Sequence, residues 1–346
     1  QAEDGIRRYD VTGVQTCALP IFVYRKYGPP EVLHLEEVEK PAPKDRELLI
    51  KVHAAEVTKA DCEMRSFNFP VKWFWLPLRL ALGITAPRRI IRGGYFAGVV
   101  EAVGKDVSGF GIGDEIFGAT GLRFGAYGEY VCLPDSNTIV HKPKNLSFAE
   151  AAVVPLGGLN ALHFMRKAKI RAGEKVLIIG AGGSIGTFAV QIAKSMGAEV
   201  TAVDSAIKEE MLRRIGADHF FDYTKTGIQD HGQSYDVIFD MVAQKSYGRC
   251  VAALNTGGRY LMGNPRLVDM LRAPVTSRFT DKTVLFAFVG EKVEELLELV
   301  KMIEDGSIKP VVDKIYPMEQ AADAHRRVET DQRLGTIAIA IGSSDN

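Results

Sequence analysis

At 346 residues the chain is long enough for two domains, each with its own core. Hydrophobic residues at 46% and charged residues at 25% are the proportions of a soluble globular protein. Lys plus Arg and Asp plus Glu both total 43, so the formal charge is zero, which argues against a nucleic-acid or polyanionic partner. The cysteines, Cys17, Cys62, Cys132 and Cys250, are dispersed singly and form no Cys-x-x-Cys pair. Neither a disulfide framework nor a thiolate zinc site is expected, and a reducing cytoplasm is the default.

Residues 11–21, VTGVQTCALPI, resemble the translation of a sequencing-adapter oligonucleotide. Glu3 and Asp4 stand where a signal peptide would be basic, and no apolar core follows them. Residues 1–21 are therefore read as a non-native extension, and the fold is expected to begin at Phe22. From there to about Glu150 the pattern is β-rich, with short runs at 32–38, 48–57, 98–103 and 127–133 between Gly- and Pro-containing turns. Ser147 and Glu150 make a capping box that starts a short helix, which must stop before Pro155.

From Lys175 apolar strands are expected at 176–179, 200–203, 219–223, 236–241, 259–262 and 284–289, with helices between them, including 208–215 and 245–254. A last helix, 291–305, stops at Gly306 with Pro310 beyond. Six strands with intervening helices make a doubly wound parallel sheet. Residues 311–342 return to β-prone sequence and are expected to rejoin the first domain. The division is 22–150 with 311–346 for the β-rich domain, and 151–310 for the α/β domain.

The stretch from Lys175 to Asp204 reads strand, glycine-dense turn, helix, strand. Ala181, Gly183 and Gly186 let the backbone approach a pyrophosphate, with Gly182, Ser184 and Ile185 completing the turn that opens the helix. Asp204, 18 residues beyond Gly186, stands where a carboxylate would accept hydrogen bonds from a ribose diol. A nicotinamide dinucleotide is the expected cofactor, with NADH favoured over NADPH because a 2′-phosphate would meet that like charge. Val242, Gly263 and Phe288 follow, or lie in, the carboxyl ends of strands four to six, the edge where such sheets bind ligands.

Several strings carry a family resemblance: KYGPPEVL (26–33), YFAGVVEAVGKDV (95–107), FGAYGEYVCLP (124–134), AAVVPLGGLNAL (151–162), GAGGSIGTFAVQIAK (180–194) and GADHFFDYTK (216–225). From Phe22 to Gly342 the chain resembles the medium-chain dehydrogenase/reductase superfamily, specifically its zinc-free quinone oxidoreductase branch. The resemblance implies an α/β protein, with a β-rich GroES-like catalytic domain beside a Rossmann domain. Matched by motif, the catalytic-zinc ligand positions of zinc-dependent relatives fall at Thr58, at Gly94 and Tyr95, and at Gly157, none of which supplies a thiolate or imidazole. Cys62 is four residues off that register and is read as an ordinary semi-buried cysteine. No metal is expected.

Without a Lewis acid, alcohol–carbonyl interconversion loses its main driving element. Hydride transfer to a substrate that is already electrophilic, a quinone or an α,β-unsaturated carbonyl, remains feasible. The resemblance places Thr58 facing the nicotinamide, where its hydroxyl could donate to the substrate oxygen, against the plainer role of a turn cap. Tyr127 is a candidate proton donor, against a strand aromatic packed on the core. Asn160 matches a position that contacts the nicotinamide end. Lys208 and Tyr223 match positions that hold a 2′-phosphate in NADPH-using relatives. Asp61 and Arg65, at i,i+4, read as a structural ion pair.

Residues 67–91 hold both tryptophans, Trp73 and Trp75, and are broken by Lys72, Arg79 and prolines, so they are not a membrane span. A lid over an apolar substrate, a dimer contact or a membrane-surface patch are the readings of this segment. The leading function is an NAD(P)H-dependent reductase of quinones or activated alkenes, acting on a small apolar electrophile as a homodimer. An alcohol dehydrogenase and a non-catalytic dinucleotide-binding sensor are the alternatives.

Overall fold

The computed structural model describes residues 18–69, 75–225, 227, 232–242, 247–287 and 290–342. Strands β1 (Ala18–Val23) and β2 (His34–Glu39) form an antiparallel pair. The boundary expected at Phe22 therefore falls inside a strand. Ile21 is buried and bridges to Gly128, so the ordered fold takes in at least residues 18–21 of the segment read as non-native.

The larger β-rich layer is built on β3 (Glu47–Val57), followed by β4 (Tyr95–Val103), β5 (Glu115–Ala119), β6 (Tyr130–Pro134) and β7 (Ile139–His141). Strand β3 has partners on both edges, β4 and β15 (Thr336–Ala340), with β6 sharing its first half, so most of its length is buried. The late strands β14 (Val312–Pro317) and β15 complete a sheet of order β14-β15-β3-β4-β5-β7. The return of residues beyond 311 to the first layer is thus a hydrogen-bonded pairing of Ile337 with Val57 and Ile339 with Ala55.

Helix α1 (Lys59–Ser66) follows β3, and α2 (Trp75–Leu82) lies in the aromatic segment. The Ser147 capping box forms as expected and starts α3 (Phe148–Ala152). That helix stops before Pro155, as expected. The proline occupies the first turn of a new helix, α4 (Val154–Ala168), where a proline lacks no needed hydrogen bond.

The second sheet is wholly parallel, in the order β10-β9-β8-β11-β12-β13. Its strands are β8 (Lys175–Ile179), β9 (Glu199–Asp204), β10 (His219–Asp222), β11 (Tyr235–Asp240), β12 (Leu254–Met262) and β13 (Thr283–Phe286). The helices of this layer are α5 (Ser184–Ser195), α6 (Glu209–Arg214), α7 (Tyr247–Ala252), α8 (Leu267–Phe279) and α9 (Val293–Glu304), and α10 (Ala321–Glu329) packs on the first sheet. Central strands β8 and β11 are covered on both faces, which is why 176–179 and 237–240 read as unbroken apolar runs, the second ending on an acid. The chain builds outward from β8 on one side, then restarts from β11 on the other. The crevice at the carboxyl ends of β8 and β11 is the switch point where ligands bind such sheets.

Candidate dinucleotide site and the buried network beneath it

The turn after β8 needs its glycines for two distinct reasons. Gly180 adopts φ +79°, a left-handed conformation that L side chains rarely take. Gly186 sits where a Cβ would come within 2.3 Å of the Gly180 carbonyl and 2.5 Å of the Ala181 carbonyl. That close approach folds the turn under the start of α5, whose first N–H groups carry no side-chain cap. An uncapped helix N-terminus over a glycine turn could hold a pyrophosphate, and Gly182, Gly183, Ser184 and Ile185 form that turn with buried Ala181.

Asp204 ends β9 as expected, but its carboxylate is already engaged. Oδ2 accepts from the Gly182 N–H at 2.8 Å, while Oδ1 accepts from the Ser205 N–H at 2.8 Å and lies 2.9 Å from the Lys208 Nζ. Both side chains are buried. A ribose diol at this carboxylate would meet oxygens that already accept from the Gly182 and Ser205 N–H groups. Asp204 braces the turn, and the Lys208 ammonium offsets its charge. Tyr223, 56% exposed at the end of β10, stands at the same sheet edge and its N–H donates to the Asp204 carbonyl.

The remaining cofactor candidates are placed with less convergence. Asn160, half-buried on α4, donates to the Leu156 carbonyl of its own helix at 2.9 Å. Val242 and Gly263 flank Asp240, whose Oδ1 accepts from the Val242 N–H and whose carbonyl accepts from the Gly263 N–H. At Gly263 a Cβ would lie 2.3 Å from the Met241 sulfur, so a side chain there would require that flexible thioether to move. Phe288 lies outside the described residues.

The β-rich layer reaches this turn directly. The Gly335 N–H donates to the Gly182 carbonyl at 3.0 Å, and the Ser184 hydroxyl donates to Glu56 Oε1 at 2.7 Å. Glu56 is 1% exposed, and its Oε2 has no partner among the described residues. Burial pushes its carboxyl pKa up to about 8, the Ser184 hydrogen bond opposing that rise and nearby Asp61 adding to it. No motif marks Glu56 as functional. Its one signal in the sequence is a single acid near the end of the β-prone run 52–57, VHAAEV.

Thr58 and Tyr127 come together, but around Asp61 rather than around open space. The Thr58 hydroxyl donates to Asp61 Oδ2 at 2.6 Å, its N–H donates to the same oxygen at 3.0 Å, and its Oγ1 accepts from the Asp61 N–H at 3.0 Å. This reciprocal capping box starts α1. The Tyr127 hydroxyl joins the same carboxylate, with the Glu56 carbonyl 3.5 Å away. Both residues are buried, and Tyr127 lies in the turn before β6, not in a strand. The Thr58 proton is thus committed to Asp61, which favours the capping role over donation to a substrate oxygen. Burial raises the Asp61 pKa against these hydrogen bonds and lifts the Tyr127 pKa well above its usual 10.0.

The expected Asp61–Arg65 ion pair does not form. Arg65 instead pairs with Glu329 and donates to the Gly28 carbonyl at 2.7 Å, because the helix turns it toward α10 while Asp61 folds back to cap. His325 of α10 completes this second cluster, with Nδ1 3.3 Å from the Cys62 sulfur and 3.4 Å from Arg65 Nε. Burial and then the neighbouring Arg65 and Arg92 charges drive the His325 pKa down to about 3, and burial drives the Cys62 thiol up to about 12. Cys62 is therefore an inert, fully buried thiol, and its histidine neighbour comes from 263 residues away.

Among the described residues no group of three or more His, Cys, Asp or Glu side chains is arranged to hold a metal ion. At Gly157 the geometry goes further. A Cβ there would lie 2.6 Å from the Phe188 ring and 2.6 Å from the Ser184 carbonyl, because α4 packs backbone-close on α5. No ligating side chain fits that position without moving a helix.

A parallel sheet with a glycine-turn phosphate cradle, joined to a β-rich layer through Glu56 and Gly335, defines a two-layer dinucleotide-binding protein. Residues 44–144 match the Alcohol dehydrogenase GroES-like domain, and residues 215–339 match the family described as Zinc-binding dehydrogenase. Residues 161–243 match the Alanine dehydrogenase/PNT C-terminal domain. The chain is 32% identical to a 2-methylene-furan-3-one reductase of Solanum lycopersicum, over 91% of this chain and 77% of that protein. It is 32% identical to a quinone oxidoreductase of Sus scrofa, over 88% of this chain and 92% of that protein. Among solved structures, the quinone oxidoreductase from Coxiella burnetii superposes with a TM-score of 0.83 at 26% identity, covering 94% of this chain and 100% of that one. The chain belongs to the medium-chain dehydrogenase/reductase superfamily, in its quinone oxidoreductase-like branch.

Proposed function

We propose that the protein is an NAD(P)H-dependent reductase that transfers hydride to quinones or α,β-unsaturated carbonyls without zinc. The observation that carries this reading is the pairing of a glycine-turn phosphate cradle with ligand positions that hold Thr58, Gly94, Tyr95 and sterically closed Gly157. The relatives named as quinone and enone reductases support it. An NADPH-dependent alkenal/one oxidoreductase of Arabidopsis thaliana is 31% identical over 92% of this chain.

When bound, the reduced nicotinamide supplies the hydride. The chain's own residues bind and orient it. The α5 N-terminus and the turn from Gly182 to Gly186 hold the pyrophosphate, and the Thr58–Asp61–Tyr127 network fixes the floor of the adjoining layer. A quinone or enone delocalises the incoming charge onto a distant oxygen, so no Lewis acid is required.

The expected NADH preference depends on a free Asp204 carboxylate. Since Lys208 offsets that charge 2.9 Å away and Tyr223 is exposed beside it, we propose instead that NADPH is accepted, with Lys208 and Tyr223 nearest its 2′-phosphate. Homodimerisation is part of the same proposal. What supports it is α8, where Leu267, Leu271, Val275 and Phe279 make an exposed i,i+4 row next to edge strand β13. A reducing, cytoplasmic setting fits the free cysteines Cys62, Cys132 and Cys250.

The test is a steady-state comparison, before and after exhaustive chelation, of enone or quinone reduction with alcohol oxidation. Reduction that survives chelation, with negligible alcohol oxidation, supports the reading. Alcohol oxidation that requires added zinc sinks it.

A further inference from the structure

Helix α2 leaves much of its apolar surface exposed. A surface helix ordinarily buries its apolar stripe and turns its charges to water. The less exposed side of α2 holds Leu78, Leu82 and Arg79, whose guanidinium stacks 4.4 Å from the Tyr27 ring and 4.3 Å from the Phe67 ring. Trp75, Leu76 and Leu80 of the same helix, and Ile84 just beyond it, are 45%, 60%, 53% and 58% exposed. None of the helix's residues is buried.

The mounting is secured from below. Phe67 meets Tyr27, Phe69 and Trp75 edge to face, with ring centroids 5.0, 5.3 and 5.9 Å apart. The Tyr27 hydroxyl donates to the Gly83 carbonyl at 2.9 Å, and the Arg88 N–H donates to the Leu82 carbonyl at 2.8 Å. The apolar face is therefore held outward by packed contacts.

The charge of the segment that carries this face has one sign. No acid occurs in the sequence between Glu63 and Glu101, whereas Arg79, Arg88 and Arg89 fall within that interval, the last two exposed. A chain of zero formal charge thus carries an acid-free, basic sequence segment that includes four exposed apolar side chains.

We infer that this face is a docking surface for an anionic lipid bilayer, with Trp75, Leu76, Leu80 and Ile84 entering the headgroup boundary and Arg88 and Arg89 meeting lipid phosphates. An exposed Trp/Leu face beside arginines is the chemistry of an interfacial helix. No helix of the described residues is long and apolar enough to cross a membrane, so the contact is peripheral. A second copy is a poorer occupant, because a two-fold contact would bring two acid-free basic segments together. A lid is poorer too, because the apolar side chains face solvent rather than the body of the protein.

The test is flotation of the full-length protein with vesicles of phosphatidylcholine containing about 30% phosphatidylglycerol, against phosphatidylcholine alone, at low and high salt. The expected result is at least tenfold more protein on the anionic vesicles, falling several-fold as salt rises. Leu76→Asp with Leu80→Asp, and separately Arg88→Glu with Arg89→Glu, should each cut that binding about tenfold, leaving reduction of a water-soluble acceptor unchanged. The arginine pair is exposed, so it remains informative if the leucine variant fails to fold. No flotation at either composition, or variants that float like the parent, overturns the inference. A parent dimer that the leucine variant dissociates overturns it in favour of a second copy.

Discussion

Glu56 and Ser184 meet across the two layers, the serine hydroxyl donating to the buried carboxyl at 2.7 Å while the other carboxyl oxygen has no partner among the described residues. The contact joins the end of the β-rich layer's longest strand to the first residue of the helix that cradles phosphate. A carboxyl in this position is stable chiefly in its neutral form.

That neutral preference fixes the sign of a pH effect. The Glu56 pKa is raised from 4.5 to about 8, so the folded state binds more protons than the unfolded state between those values. Its contribution to stability is therefore most favourable below pH 4.5 and is lost as pH rises through about 8. Glu56→Gln keeps the shape and the acceptor for Ser184 but cannot ionise. A tenfold difference in proton affinity between folded and unfolded states is worth about 1.4 kcal/mol, so the variant should exceed the parent by roughly 2–4 kcal/mol at about pH 9 and match it near pH 4. Denaturant unfolding at the two pH values checks this, and equal stabilities on the alkaline side would show that Glu56 ionises freely.

His325 acts in the opposite direction. Its pKa is depressed from 6.5 to about 3, so the stability tied to its neutral form is present above 6.5 and is lost as pH falls through about 3. His325→Asn should flatten the acid limb of the stability profile between those values while costing stability at neutral pH. An unchanged acid limb would mean that the ring is protonated in the folded state.

Lys208 should decide the cofactor. With Asp204 buried and bonded to Gly182, Lys208→Met removes the cation that offsets it. Catalytic efficiency with NADPH should fall at least tenfold, equivalent to about 1.4 kcal/mol, and fall less with NADH. The ratio of the two efficiencies in parent and variant is the readout. A ratio that does not move would place the 2′-phosphate elsewhere.

Thr58 is predicted to matter through its cap. Thr58→Ser keeps the reciprocal bonds with Asp61, whereas Thr58→Ala loses them and should cost about 0.5–2 kcal/mol, the range for a lost N-cap. Thermal melts of the two variants separate the roles. An alanine variant as stable as the parent but catalytically dead, with activity kept in the serine variant, would return the Thr58 hydroxyl to the substrate.

Much of this is legible in residues 175–204, because a parallel sheet writes its buried strands as apolar runs and its phosphate turn as glycines whose necessity is steric. What stays hidden depends on partners distant in sequence. Helical spacing alone assigns Arg65 to Asp61, but Glu329 and His325, 264 and 260 residues away, take it. Asp204 falls at its strand end as the spacing predicts, but its bonds to the Gly182 and Ser205 N–H groups depend on how the turn folds. Pro155 marks the end of the short helix as the sequence predicts, but not that a second helix starts at once, with the same proline in its first turn.

The central claim is direct hydride delivery to an activated carbon–carbon double bond or quinone. The most direct measurement is reduction of an α,β-unsaturated ketone with NADPH deuterated at the transferable nicotinamide position, in metal-free buffer. One deuterium is expected at the β-carbon of the saturated ketone, at a rate unaffected by chelator. A saturated product lacking that deuterium, deuterium on the carbonyl carbon of an alcohol product, or turnover only after zinc is added would contradict that claim.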